Sequence, residues 1–272
     1  MLVCALGDLL LDVVARTGPD TATSAQERSA ETHVGAGGQA ANVSAWAREL
    51  GAEARFVGKR ASDAGAELVT RELAARGVDV CGPIVEGRNG VVVSLVAPDG
   101  ARTMLSDRGV APGLHASELE LAWFRGVSWL HLAGYSLFRS PIDEAAAKAA
   151  GAVQAQGGRV SVDLSSAAAI EAFGPDRLRG RLTALTPHVV FANEDEAAAL
   201  GAPPPRTFVL KRGAAGIVVR LDDEETSYPA EPAEVVDTTG AGDALAAGFL
   251  VGGPELGLRA AARCVSKLGA MP

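Results

Sequence analysis

Aromatic residues are scarce in this chain: three Trp, two Tyr and seven Phe make up only 4% of its 272 residues. A core with so few rings must be filled by small and aliphatic side chains. The 48% apolar fraction, rich in Ala and Val, suits a sheet covered by tightly packed helices. Cysteine is rarer still. Cys4, Cys81 and Cys264 are odd in number and widely scattered, which excludes a disulfide framework or a cysteine zinc site and fits a reducing, cytoplasmic setting. Basic excess is missing as well, since 25 Lys and Arg face 33 Asp and Glu for a net charge of −8. Nucleic acid is therefore not the expected partner. No apolar run reaches the ~20 residues that cross a bilayer. The start, MLVCALGDLLLDVV, has no basic leader and is broken by two acids, so it reads as a strand and not a signal peptide. The four histidines, at 33, 115, 131 and 188, show no ligand spacing and are read as ordinary structure.

Two common phosphate loops are also absent. Gly35-Ala36-Gly37 runs straight into Gly38 with no glycine two residues beyond, which breaks the dinucleotide-binding spacing. Gly58-Lys59-Arg60 lacks the upstream glycine of a P-loop. What is present is residues 235–250, VVDTTGAGDALAAGFL. Two valines bring a strand to its end, Asp237-Thr238-Thr239 make a turn, and Gly240-Ala241-Gly242 open an apolar helix. First-turn amides have no intrahelical partner, and the helix dipole adds positive charge there. Glycines let a ligand approach, so the place suits a phosphoryl group. Asp243 follows in the same turn, where a carboxylate can take a proton from an attacking hydroxyl while the amides stabilise the transferring group. A lone acid there would simply complement the dipole; the glycines and paired threonines turn the reading toward chemistry.

DTTGAGD followed by a small-residue helix resembles the C-terminal signature of the ribokinase-like, or PfkB, family of carbohydrate kinases. Gly37-Gly38-Gln39-Ala40-Ala41-Asn42-Val43 resembles that family's GG-x-x-x-N segment, and the similarity runs from about residue 3 to about residue 269. The resemblance implies a doubly wound, mostly parallel α/β sheet with helices on both faces, in a single domain over 1–272. It implies a small β lid from residues 13–34 and 82–106, with lids that pair between subunits into a homodimer. It further implies ATP and Mg²⁺, with K⁺ beside the DTTGAGD turn and Asp237 serving it. The acceptor is a sugar or nucleoside whose primary hydroxyl receives the γ-phosphoryl.

The rest of the chain is placed by pattern. A strand at 2–6 ends in Gly7-Asp8, and Asp12 follows; the carboxyl ends of parallel strands face ligands, so both acids are substrate candidates, with turn capping as the bland alternative. A helix spans 39–50, and Asn42, one turn on from Gly38, aims its amide at a hydroxyl. A strand at 55–58 and a helix at 63–76 precede lid strands at 82–86, 91–97 and 101–105, with hairpin turns at 87–90 and 98–100. Arg108-Gly109-Val110-Ala111 stands where relatives have a Gly-Ala-Asn turn. A strand at 128–132, a helix opened by Ser140-Pro141, and a strand at 159–164 come next. Asp163 either orients metal-bound water or caps a helix. A strand at 188–191 feeds Asn193-Glu194-Asp195-Glu196, which matches the family's N-x-x-E segment. By pattern alone that segment is a capped acidic helix start; by resemblance, Asn193 and Glu196 organise Mg²⁺ and phosphates, largely through water. After a strand at 207–210, Lys211, Gly213 and Gly216 resemble the nucleotide-flanking turn, Lys211 being either a phosphate contact or a solvated side chain. Thr238 belongs to the same nucleotide set. The four acids at 222–225 read as a solvated hairpin tip, and a helix at 256–268 walls the adenine pocket. Two other readings share these motifs: a nucleoside kinase resembling the adenosine kinases, and a catalytically inactive sugar-binding regulator.

Overall fold

The computed structural model describes residues 1–16, 29–97, 102–201, 207–222 and 224–272. The expected turn at 98–100, the middle of the first lid segment and Asp223 lie outside the described residues. In chain order the elements begin with β1 (Leu2–Leu6), β2 (Leu10–Arg16), β3 (Glu31–Gly37), α1 (Gln39–Glu49), β4 (Glu53–Val57) and β5 (Arg60–Ala61). Then come α2 (Ala64–Ala75), β6 (Asp79–Cys81), β7 (Ile84–Val85), β8 (Asn89–Val96), β9 (Arg102–Gly109) and β10 (Val127–Ala133). The middle of the chain forms α3 (Ile142–Gln154), β11 (Arg159–Asp163), α4 (Ala167–Phe173), α5 (Pro175–Leu185), β12 (Val189–Asn193) and α6 (Glu194–Leu200). It closes with β13 (Thr207–Lys211), β14 (Ile217–Leu221), β15 (Glu224–Tyr228), α7 (Ala241–Gly252) and α8 (Pro254–Val265).

Nine strands form the main sheet in the order β15-β14-β13-β12-β11-β10-β1-β4-β6. It is parallel from β6 to β13 and antiparallel across β13-β14-β15. One face packs on α1, α2, α7 and α8 through Trp46, Val69, Leu250 and Leu258. The other packs on α3, α5 and α6 through Ile142, Leu178, Leu182 and Leu200. The shortage of rings has its counterpart in the α7–α8 contact, where a Cβ on Gly248 would sit 2.6 Å from the Leu256 carbonyl. Helices this close admit only small residues. No helix among the described residues is long and apolar enough to cross a membrane.

A second sheet, in the order β3-β2-β8-β9, stands beside the first. Its strands run beyond the expected boundaries, starting at Leu10 and ending at Gly37 and Gly109. Residues 82–86 are not part of it. Ile84 and Val85 pair with Arg60 and Ala61 instead, and residues 89–90 begin β8, so 87–90 is no hairpin turn. The roots of this sheet are tied to one helix. Asp63 caps α2 by accepting from the Ala66 amide at 2.8 Å while its other oxygen accepts from the Asn89 amide at 2.8 Å. Two turns on, Glu72 accepts from the Ala36 amide at 2.8 Å.

The expected strand at Val235-Val236 does not form. Both amides at 236 and 237 donate to the single Val265 carbonyl, at 2.8 and 3.1 Å, and the two valines stay exposed. β-Branched residues favour a strand only when a neighbour offers a ladder, and here the sheet already ends at β15. Pattern reading also passed over α4 and α5, which carry the chain between β11 and β12.

Candidate active site

Asp243 lies in the first turn of α7, as its place in the sequence requires, and is buried. Gly240 precedes the helix in the left-handed region at φ 77°, and a Cβ there would strike Ala270 at 2.5 Å. Among the described residues the amides of Gly240, Gly242 and Asp243 meet no acceptor, whereas that of Ala241 turns back to the Thr238 carbonyl at 3.4 Å. Asp237 laces the turn: its two oxygens accept from the Thr239 amide at 2.7 Å and the Gly269 amide at 3.0 Å. Trp46 adds a brace by donating its indole N–H to the Ala270 carbonyl at 2.8 Å.

The two halves of the chain meet at Asp243. Asn42 Nδ2 donates to its carboxylate at 2.7 Å, which fixes the orientation of the Asn42 amide and leaves its buried Oδ1 without a partner. Burial raises the Asp243 pKa to about 7, with the Asn42 hydrogen bond opposing the rise and the nearby Asp163 charge adding to it. Gln39 supplies a second hydrogen bond that stabilises the carboxylate, and it accepts from Ser165 Oγ at 2.6 Å. Sequence reading missed Gln39, although it sits inside the quoted glycine motif.

Asp12 and Asp8 both stand beside α1's amino end. A Cβ on Gly37 would fall 1.9 Å from the Asp12 carboxylate, and one on Gly38 (φ 95°) 2.5 Å from the Asp8 carbonyl, so only glycines pass here. Burial and then the charge of Asp237 raise the Asp12 pKa to about 7. Asp8 is engaged by Arg108, from the end of β9. The Arg108 guanidinium lies 3.7 Å from the centre of the Tyr135 ring. Local pattern gives no hint of this pairing, which spans a hundred positions.

Lys211 is not solvated. Its Nζ lies 2.7 Å from Asp163 and 3.8 Å from Glu196, and a Cβ on Gly242 would lie 3.4 Å from it. Burial works against its charge, but Asp163 first and Glu196 second outweigh that and raise its pKa. Glu196 is pushed up by burial. Asp163 thus serves as the counter-charge of Lys211 and not as a helix cap. Asn193 and Glu196 form a full capping box, with Asn193 Oδ1 accepting from the Glu196 amide at 2.7 Å and Glu196 accepting from the Asn193 amide at 2.8 Å.

Beyond Lys211 lies a cavity of about 640 Å³. Asn193, Lys211, Gly213, Gly216 and Thr238 line it near α7, and Leu258, Ala261 and Val265 of α8 form an apolar wall. Such a volume, mostly apolar with a few convergent polar groups, fits a nucleotide base and ribose.

A parallel sheet bearing this site at its carboxyl edge defines the class of kinases that act on sugars and nucleosides. The chain belongs to the pfkB family of carbohydrate kinases, whose profile matches residues 1–271. It is similar to the ATP-dependent ribose-1-phosphate kinase of Halopiger xanaduensis, 34% identical, with 79% of this chain and 72% of that one covered. It is similar also to the uncharacterized sugar kinase YegV of Escherichia coli, 30% identical over 92% of this chain and 81% of that one. Among solved structures, the adenosine kinase of Sinorhizobium meliloti superposes with a TM-score of 0.89 at 25% identity, covering 99% of this chain and 95% of that one.

Proposed function

We propose that the protein transfers the γ-phosphoryl group of ATP to a primary hydroxyl of a sugar or nucleoside, with Asp243 as the general base. The observation that carries this reading is a buried carboxylate with a pKa of about 7 beside open helix amides and the Lys211 ammonium. The acceptor oxygen attacks the γ-phosphorus, its proton passes to Asp243, and the bond to the β,γ-bridging oxygen breaks to release ADP. The amides of Gly240 and Gly242 and Lys211 stabilise charge on the transferring group. Asp12, Gly37, Gly38 and the free Oδ1 of Asn42 hold the acceptor hydroxyls, while Gly213, Gly216 and Thr238 flank the nucleotide.

No group of three or more His, Cys, Asp or Glu able to hold a metal occurs among the described residues. Glu196 already accepts from Asn193, so its fit to Mg²⁺ is through water, with the ion carried mainly by the nucleotide's phosphates. When bound, Mg²⁺ neutralises phosphate charge. Asp237 has both oxygens on backbone amides, which assigns it to shaping the turn; a K⁺ ion there would draw on backbone carbonyls.

The second sheet serves as the lid that excludes water as a rival acceptor. It carries an apolar row, Val34, Val13, Val93 and Leu105, across all four strands, with Val34 and Leu105 about half exposed at its ends. That row supports pairing of two lids in a homodimer, which the solution mass would reveal. For the chemistry the test is Asp243→Asn. The variant should bind ATP and acceptor by calorimetry yet turn over about 10³-fold more slowly; a loss under tenfold would remove Asp243 as the base.

A further inference from the structure

Besides Asn42, a second amide reaches the Asp243 carboxylate. Gln39 opens α1 three residues before Asn42, a spacing that puts both side chains on one helix face. Its side chain hydrogen-bonds to Asp243, and its Oε1 accepts from Ser165 Oγ at 2.6 Å. An ionised carboxylate takes only donors, so the Gln39 amide has its nitrogen on Asp243 and its oxygen on Ser165. Neither end can turn over without breaking the bond at the other.

Ser165 is itself held in place. It lies two residues beyond the end of β11 with φ 71°, a left-handed backbone that a residue with a side chain keeps only when its neighbours enforce it. Two neighbours do. The Ser165 amide donates to Asp163 Oδ1 at 2.9 Å, while the other oxygen of Asp163 accepts from Lys211 Nζ at 2.7 Å. The Gly134 amide, just past β10, donates to Ser165 Oγ at 2.8 Å. A Cβ on Gly134 would stand 2.5 Å from the Leu164 carbonyl oxygen, so this approach needs glycine. Ser165 Oγ also lies 3.1 Å from the Asp163 carbonyl, but a hydroxyl has one proton to give, and the shorter contact to Gln39 takes it. Capping does not occupy this hydroxyl, because α4 is capped by Ser166, which accepts from the Ala169 amide at 3.2 Å.

Building on the proposed phosphotransfer, we propose that Ser165 is a positioning residue: its hydroxyl locks Gln39, and Gln39 together with Asn42 sets how the Asp243 carboxylate is presented to the acceptor alcohol. The arrangement also ties the base to the nucleotide side, since the Asp163 that holds Ser165 is the counter-charge of Lys211. The charged and titratable groups that face Asp243 are Asp163 on β11, Lys211 on β13 and the buried Cys264 thiol on α8. Variants at 39 and 165 leave all three in the chain.

The test needs no substrate. Carbon NMR of labelled aspartate carboxyls follows the titration of Asp243, whose signal is identified by its loss in Asp243→Asn. The wild-type midpoint should lie at about 7. Removing a donor destabilises the carboxylate, so Gln39→Leu and Ser165→Ala should each raise that midpoint by about half a unit or more. The double variant should rise no further than Gln39→Leu alone, because the two residues act in series. Ser165→Gly separates hydroxyl from backbone: it suits φ 71° and should melt no lower than Ser165→Ala, yet shift the midpoint equally. An unmoved midpoint in the two Ser165 variants, a shift in only one of them, or additive shifts in the double variant would overturn the proposal. None of these results touches the phosphotransfer reading, which fails only if Asp243→Asn keeps its activity.

Discussion

The two sides of the cleft that the proposed function gives to nucleotide and acceptor are built on different principles. On the nucleotide side the half-buried Lys211 has its counter-charge at 2.7 Å, and the cavity beyond it is walled by Leu258, Ala261 and Val265. Recognition there rests on shape and on neutral backbone. On the acceptor side Asp243 is buried and Asp12 half-buried, and both pKa values rise to about 7. The first region is electrostatically settled before any ligand arrives; the second is held near a titration point. The contrast suits a shared donor nucleotide and an acceptor that must surrender a proton.

Breaking the settled side should have the larger effect on folding. Lys211→Met leaves Asp163 and Glu196 buried without their cation, and losing one partner of a buried pair costs about 3–5 kcal/mol. A thermal melt should drop by many degrees, and Asp163→Asn in the same background should restore part of it. Next in size, Ala262→Phe would fill the apolar end of the 640 Å³ cavity. The KM for ATP should rise about tenfold or more while acceptor KM moves little, as steady-state kinetics would show.

The unsettled side should answer to pH. In its proposed role as base, Asp243 accepts a proton only as the carboxylate, so kcat should fall as pH drops below about 7. Because the Asn42 hydrogen bond lowers that pKa, Asn42→Ala should move the kinetic midpoint upward, by about one unit if a charge-assisted bond of ~1.5 kcal/mol is lost. A further effect concerns stability. Both acids have folded pKa values above the unfolded ones, so their contribution is fully present below about pH 4 and is lost as pH rises through 7. The ligand-free protein should therefore melt higher near pH 5.5 than near pH 8, a difference that vanishes in Asp12→Asn/Asp243→Asn.

How much of this could be seen in the sequence depends on distance along the chain. The DTTGAGD turn and the Gly37-Gly38 segment were legible because their chemistry is local: a positive φ at 240, a close approach at 37 and 38, a carboxylate one residue beyond the turn. The alternating strands and helices of the main sheet were legible by the same kind of pattern. Arg108 on Asp8, Gln39 near Asp243 and Lys211 on Asp163 were not, since each pairing is made only once two distant strands or helices are brought side by side. Val235-Val236 shows the converse, a strong local strand preference with no partner strand to satisfy it.

The two carboxylates of α2 that hold the roots of the second sheet, Asp63 at Asn89 and Glu72 at Ala36, amount to a pair of pins set along one rigid rod. In the lid role proposed above, two fastenings on one rod favour movement about the line that joins them.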